Sequence, residues 1–291
     1  MRLPDLVNAD TVVNVSQVRH LSPFRYPGGK TWLVPRVRAW LTSFAEPVDT
    51  FVEPFCGGAI VGLSVAAERL ARSVTLVELD PKVAAVWQTI FCGSDRDVEH
   101  FCDLITQLDL TRETAEVILG GSNLDTVHLA FQTIVRNRVS HGGGLAQGTG
   151  ILRNGENGKG ILSRWYPNTL VTRIRVIRLM RHIISFVQDD ALPFLSRAQS
   201  QGSSNWAFFI DPPYLVAGSR LYDHSEVDHP QLFQLVSELP GQVLLTYDND
   251  ARVRDLARRF GMSTRKIAMQ NKNHTEQKEL LISRDLGWLK S

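Results

Sequence analysis

No stretch of ~18 consecutive apolar residues, the length a membrane-crossing helix requires, occurs in the sequence, so no membrane partner is expected. The N-terminus, Met1-Arg2-Leu3-Pro4-Asp5, has no apolar signal-peptide core, and a cytoplasmic protein is expected. Cysteine is scarce. Cys56, Cys92 and Cys102 leave at least one thiol unpaired, which excludes a disulfide framework and suits a reducing compartment. Neither the cysteines nor the eight histidines fall at metal-ligand spacing, so no metal is expected, and His229 and His274 stand alone. Cys56 reads as a small apolar filler. Internal repeats are absent, and the net charge is only +2 over 291 residues.

That near-neutral total hides a segregation. Between Gln132 and His182 stand nine basic residues, Arg136, Arg138, Arg153, Lys159, Arg164, Arg173, Arg175, Arg178 and Arg181, against the single acid Glu156. The stretch is +8, and the rest of the chain is −6. A concentrated basic segment is what a polyanion-binding surface looks like in sequence; a solvated arginine-rich helix is the plainer alternative. The apolar fraction of 43% is ample for a large core.

Hydrophobic periodicity divides the chain. Residues 1–20 read as an extension. Thr50–Glu53 reads as a strand, Ala59–Leu70 as a helix and Val74–Glu78 as a second strand, with Pro81 at the start of another helix. Residues 95–135 look helical, residues 137–160 form a long glycine-rich loop, and Leu170–Ile184 reads as a helix with its arginines turned away from the core. Further strands are expected at Ile184–Val187, Trp206–Ile210 and Gln242–Tyr247, with helices at Gln231–Leu239 and Asp250–Phe260. Ser263–Met269 and Glu279–Ser283 read as a closing strand pair. Strands alternate with helices at both ends and not in the middle. The expected fold is therefore α/β, a doubly wound sheet in two segments, 21–94 and 176–291, around a helical, basic insertion at 95–175.

Four stretches carry the chemistry. Asp211-Pro212-Pro213-Tyr214 ends the apolar strand 206–210 abruptly, because each proline fixes φ and removes a backbone donor. A carboxylate, free carbonyls and an aromatic ring then meet at a strand's carboxyl end. These are the groups that hold an unstacked base by its exocyclic amine. With Asp211 and the Pro212 carbonyl accepting both N–H groups, an adenine nitrogen lone pair localises and attacks a methyl donor, while Tyr214 stacks on the extruded base. Glu53-Pro54-Phe55-Cys56-Gly57-Gly58-Ala59 is a glycine turn between strand and helix, and the next strand ends in Glu78, placed to take ribose hydroxyls. Pro23-Phe24-Arg25-Tyr26-Pro27-Gly28-Gly29-Lys30 offers Tyr26 and Lys30 to a ligand, or is an ordinary turn before a helix. Asp189-Asp190-Ala191-Leu192 places a carboxylate near a cofactor adenine, or caps a helix.

In this order the stretches resemble the Dam-type, or alpha group, family of DNA adenine-N6 methyltransferases, from Phe24 to about Arg284. The resemblance implies a Rossmann-like methyltransferase sheet with a helical DNA-recognition insertion. It implies S-adenosylmethionine as cofactor and S-adenosylhomocysteine as product, held by Tyr26, Lys30, Phe55, Gly57, Gly58, Glu78, Asp190 and Asp211. It assigns catalysis to Asp211, Pro212, Pro213 and Tyr214, and a role in lining the target pocket to Tyr247-Asp248-Asn249. Double-stranded DNA would be the partner, contacted by Arg136, Asn137, Arg138, Ser140, His141, Arg153 and Arg164, in a monomer of bacterial, archaeal or phage origin. Two departures stand out. Ala59 occupies a place where the family often has another glycine. After Asn137-Arg138 the chain reads Val139-Ser140-His141-Gly142-Gly143-Gly144, without the aromatic-Asn-Gly segment of GATC-methylating members, so a GATC target is not implied. The competing expectations are an RNA adenine or protein amide methyltransferase, and a catalytically silent DNA-binding protein on the same scaffold.

Overall fold

The computed structural model describes residues 18–26, 28–146, 149–153, 155, 158–214, 227–270 and 276–289. Most of the expected N-terminal extension, Pro27, His274 and parts of the 137–160 loop lie outside the described residues. The first half of the chain forms α1 (Val34–Thr42), β1 (Val48–Glu53), α2 (Ile60–Ala67), β2 (Ala71–Glu78), α3 (Pro81–Trp87), α4 (Asp95–Gln107), α5 (Arg112–Gly120) and α6 (Thr126–Val139). The second half forms α7 (Pro167–Arg178), β3 (Ile184–Gln188), α8 (Ala191–Gln201), β4 (Trp206–Ile210), α9 (His229–Glu238), β5 (Gln242–Asp248), α10 (Ala251–Arg259), β6 (Ser263–Gln270) and β7 (Glu276–Ser283). No described helix is long and apolar enough to cross a membrane.

The helix starts follow local chemistry. Asp80 accepts the Lys82 N–H at 2.8 Å and Pro81 takes the first helical position of α3. Ser94 and Asp97 form a reciprocal capping box at α4, as do Thr111 and Thr114 at α5, and Asp125 caps α6.

The strands form one sheet in the order β3-β2-β1-β4-β5-β7-β6. Pairing is parallel from β3 through β5, and β7 runs antiparallel between β5 and β6. Because strand residues alternate sides, each apolar strand feeds two cores. Phe51, Ala207, Phe209 and Leu244 join one cluster, and Val52, Phe208, Ile210, Val243 and Leu245 join the other. Phe208 and Phe209 are both fully buried, on opposite faces. This is the doubly wound α/β sheet expected from the sequence.

The insertion does not stand apart. Phe101, Ile105, Ala130, Ile134, Ile174 and Ile177 from α4, α6 and α7 pack in the same cluster as Val83 and Trp87 of α3. The expected division at 175/176 falls inside α7, which runs unbroken from Pro167 to Arg178.

One close approach sets how α2 meets the sheet. The Gly62 N–H donates to Glu53 Oε2 at 2.8 Å, and a Cβ there would sit 2.6 Å from both that oxygen and Leu76 Cδ2. Gly62→Ala should therefore lower the denaturation midpoint, by about 1–3 kcal/mol of overpacking set against the ~1 kcal/mol that alanine gains in helix propensity. An unchanged or raised midpoint would contradict this packing.

Candidate active site

The strand order reverses between β1 and β4, and the carboxyl ends of such strands border the crevice where open α/β sheets bind ligands. Five parallel strands end in, or run directly into, an acid: Glu53 after β1, Glu78 after β2, Asp189 and Asp190 after β3, Asp211 after β4 and Asp248 after β5.

On the β1 side the glycine turn forms a cradle. Gly57 has φ +46° and donates its N–H to Glu78 Oε2 at 2.8 Å, while its carbonyl accepts from Trp87 Nε1 at 2.8 Å. The Tyr26 ring lies over the turn, so closely that a Cβ on Gly57 would be 2.6 Å from Tyr26 Cε1 and one on Gly58 2.8 Å from Tyr26 Cβ. Phe55 is half-buried against the second core. Ala59 takes a left-handed conformation at φ 51°, which costs an alanine roughly 1–2 kcal/mol and which glycine adopts freely. That accounts for the glycine common at this place in the resembled family.

Glu78 Oε1 accepts the Asp80 N–H at 2.9 Å, so both carboxylate oxygens are held by backbone donors. Burial pushes the Glu78 carboxyl up to about 7, against the opposing effect of those N–H groups. Glu53 is deeper and is driven well above the usual carboxylate range, first by burial. At β3, Asp190 accepts the Leu192 N–H at 2.9 Å and is the N-cap of α8, while Asp189 pairs with Arg197.

The β4 corner is held from three sides. Asp211 Oδ2 pairs with Lys30 Nζ at 2.9 Å, and Oδ1 accepts from Thr246 Oγ1 at 2.7 Å and from the Tyr214 hydroxyl at 3.2 Å. The Tyr214 hydroxyl also reaches Glu279 Oε2 of β7 at 3.1 Å, and Lys30 lies 4.0 Å from that same oxygen. The Lys30 side chain is 5% exposed, and Nζ also donates to the Gly28 carbonyl at 3.0 Å. Burial pulls its pKa down, but Asp211 and Glu279 more than offset this, and it ends above the ordinary lysine value. Lys30 was expected to meet a cofactor; in the structure its ammonium pairs with Asp211. Tyr214 is engaged too: Tyr247 stacks on it with centroids 5.8 Å apart, and Lys30 Nζ is 5.0 Å from its centroid. A base stacking on Tyr214 would have to share or displace one of these contacts. Tyr247 is fixed in turn by His229 Nδ1, 2.9 Å from its hydroxyl.

Thr246 and Glu279 complete the site without having been singled out in the sequence. The faint signal for Glu279 is an acid at the edge of the apolar run Leu280-Leu281-Ile282, the same pattern as Glu53 and Glu78. Among the described residues no group of three or more His, Cys, Asp or Glu side chains is arranged to hold a metal ion.

The residues expected to touch DNA divide into two sets. Asn137, Arg138 and Ser140 are buried at the end of α6 and turn inward. Asn137 accepts the Arg25 N–H at 2.8 Å and donates to the Gly143 carbonyl at 2.8 Å, and Arg138 donates to the Pro23 carbonyl. Asn137 and Arg138 brace the turn around Arg25. His141 and Arg153 are exposed, and Arg136 and Arg164 are half-buried, with Arg164 donating to the Ser140 carbonyl at 3.3 Å. Two arginines of α7, and Arg181 just beyond it, meet acids from α4. Arg175 pairs with Glu99 at 2.6 Å, Arg178 and Arg181 pair with Asp95 at 2.9 and 2.6 Å, and Arg173 donates to the Ser22 carbonyl at 3.2 Å. Their charge is largely committed inside the protein.

Residues 26–115, which hold the glycine cradle, Lys30 and Glu78, match the D12 class N6 adenine-specific DNA methyltransferase family. Comparison with curated proteins gives no match. Among solved structures the chain is similar to the SAM dependent methyltransferase from Agrobacterium tumefaciens, with 12% identity, 86% of this chain and 59% of that chain covered, and a TM-score of 0.41. It is also similar to the rRNA methyltransferase aviRa from Streptomyces viridochromogenes, with 14% identity, 96% of each chain covered and a TM-score of 0.38. The chain thus spans 59% of the length of the Agrobacterium structure. The match over residues 26–115 agrees with the Dam-type resemblance read from the sequence.

Proposed function

We propose that the protein transfers a methyl group to the N6 amine of adenine in double-stranded DNA, on a base turned out of the helix. The observation that carries this reading is the Asp211 corner. A carboxylate oxygen has two lone pairs, so Asp211 has about four acceptor sites. Lys30, Thr246 and Tyr214 use three of them, which leaves one for an incoming N–H. The Pro212 carbonyl beside it is the second acceptor, and neither Pro212 nor Pro213 brings a competing N–H. Two acceptors on one amine draw its lone pair out of the adenine ring and point it along the crevice.

S-adenosylmethionine fits the cradle and would supply the methyl group. Gly57 and Gly58 let the Tyr26 ring close over the turn, Glu78 offers its carboxylate to the ribose hydroxyls, and Phe55 flanks the turn. The other residues position. Lys30 pairs with Asp211 and Thr246 donates to it, so both hold its side chain in place. For DNA, the exposed His141, Arg153 and Lys159 and the half-buried Arg136 and Arg164 suit phosphate and base contacts. The Arg138 guanidinium is depressed by burial and by Arg173, Arg25 and Arg164, so four guanidinium groups gather here, and a phosphate would relieve their repulsion.

Modification-sensitive sequencing of DNA from cells expressing the protein tests the reading. The expected result is N6-methyladenine confined to one short sequence context. Unmodified DNA beside methylated RNA or protein amide would overturn it.

A further inference from the structure

Glu279 stands at the centre of the site with no role in holding the base or the cofactor. Antiparallel pairing of β5 and β7 sets it directly opposite Asp248, a like-charged neighbour in a buried place. Asp211 lies on its other side, and among the described residues Lys30 is the cation close to both acids, 2.9 Å from Asp211 and 4.0 Å from Glu279. Between the two carboxylates stands the Tyr214 hydroxyl, 3.2 Å from Asp211 Oδ1 and 3.1 Å from Glu279 Oε2. It has one proton and can donate it to only one of them at a time. Two acceptors sharing one donor form a path along which a proton can move.

Resting on the methyltransferase reading, we propose that Glu279 stores the proton that leaves the target amine, with the Tyr214 hydroxyl as carrier from Asp211. The N6 lone pair forms the N–C bond as the methyl–sulfur bond breaks, and the electron pair of that bond stays on sulfur. The nitrogen now bears a methyl group, two hydrogens and a positive charge. One N–H proton passes to Asp211, and its bonding pair returns to nitrogen. Asp211 then hands a proton to the Tyr214 oxygen as Tyr214 gives its own to Glu279 Oε2. The charge that entered on sulfur ends as a proton on Glu279, and Asp211 is again the partner of Lys30.

The electrostatics suit this use. Burial pushes the Glu279 carboxyl up to about 7, Lys30 opposes that, and Asp211 and Asp248 add to it. The groups facing it are thus Lys30 from the turn before α1, Asp211 and Tyr214 after β4, and Asp248 on β5. A proton acceptor balanced near neutral pH both takes and releases its proton readily. Glu279 touches neither base nor cofactor on this view, and acts through Tyr214.

The test is single-turnover methyl transfer from tritiated S-adenosylmethionine to DNA across acid to mildly alkaline pH, for the wild type, Glu279→Gln and Tyr214→Phe. The wild-type rate should rise with pH to a plateau above about 7, because Glu279 must be ionised to accept a proton. Glu279→Gln keeps an acceptor for the Tyr214 hydroxyl but cannot store the proton. Its plateau rate should fall by about 10–100-fold and the acid limb should vanish, with cofactor affinity unchanged. Tyr214→Phe keeps the ring and cuts the path, so it should lose the same limb even where the glutamine variant folds poorly. An active wild type whose limb and rate persist in either folded variant overturns this proposal alone. A wild type that labels no DNA overturns it together with the methyltransferase reading.

Discussion

Asp211→Asn should lower the rate of methyl transfer by about 10²–10⁴-fold while leaving S-adenosylmethionine affinity within a few-fold of wild type. The amide is nearly isosteric, so the corner keeps its shape. What changes is charge and donor pattern. Asp211 now accepts from Lys30, Thr246 and Tyr214 at once, and an NH₂ group in place of either oxygen would face a donor. The amine of adenine would meet a weaker acceptor, held in a less certain rotamer. Asparagine is the better probe than alanine, because removing the side chain leaves Lys30 buried beside Glu279 alone. Breaking a buried pair on one side costs about 3–5 kcal/mol, and lost activity could then report lost structure. Rapid-quench transfer assays with a thermal melt on the same sample separate the two. Wild-type rates in a folded Asp211→Asn protein would remove Asp211 from the chemistry.

The ligand-free protein should be most stable near pH 5 and lose stability toward pH 8, opposite to the usual trend for carboxylates held in ion pairs. Glu78 and Glu279 both rise from an ordinary 4.5 to about 7 in the folded state, with burial the first cause. A folded pKa above the unfolded one means that the folded state binds more protons between those values. Stability is therefore fully present below about 4.5, falls as pH rises through the window, and levels above about 7. At ~1.4 kcal/mol per unit for each group, discounted because Glu78 is partly open to the crevice, the fall is on the order of a few kcal/mol. On the acid side, Asp95, Asp97 and Asp125 are depressed by hydrogen bonds and arginine or helix contacts, and their contribution is lost as pH drops below the ordinary aspartate range. Urea midpoints against pH measure the slope, and Glu279→Gln or Glu78→Gln should flatten it. Stability rising steadily from pH 5 to pH 8 would contradict the buried placement of both acids.

Both results depend on partners that local sequence pattern shows unequally. The β1 turn, Glu78 and the Asp211 tetrapeptide were readable because each lies where a strand ends, and strand ends announce themselves by an apolar run followed by proline, glycine or an acid. The apolar face of α7 was readable for the same kind of reason, since Leu170, Val171, Ile174 and Ile177 repeat at helical spacing and are all buried. Its polar face was not. Whether an arginine meets water, DNA or an acid depends on what packs opposite, and α4 supplies Asp95 and Glu99 from far along the chain. Lys30 shows the same limit. Its turn looked like ligand-binding chemistry, but its partner arrives from the end of β4. Glu279 and Thr246 enter only because β7 is threaded antiparallel beside β5, a register that no spacing within either strand reveals. Asn137-Arg138 resembled the start of the family's recognition loop and is the buried last turn of α6, because its side chains satisfy backbone groups of the 23–25 segment.

The most direct test of adenine methylation in DNA is to incubate the purified chain with tritiated S-adenosylmethionine and a mixture of duplex DNA and RNA, then digest each to nucleosides and identify the labelled species by mass. The label should appear as N6-methyldeoxyadenosine from the duplex DNA and vanish with Asp211→Asn. Label on cytosine, in RNA or in the protein fraction, or equal labelling by the asparagine variant, would contradict the assignment of this crevice to the adenine amine.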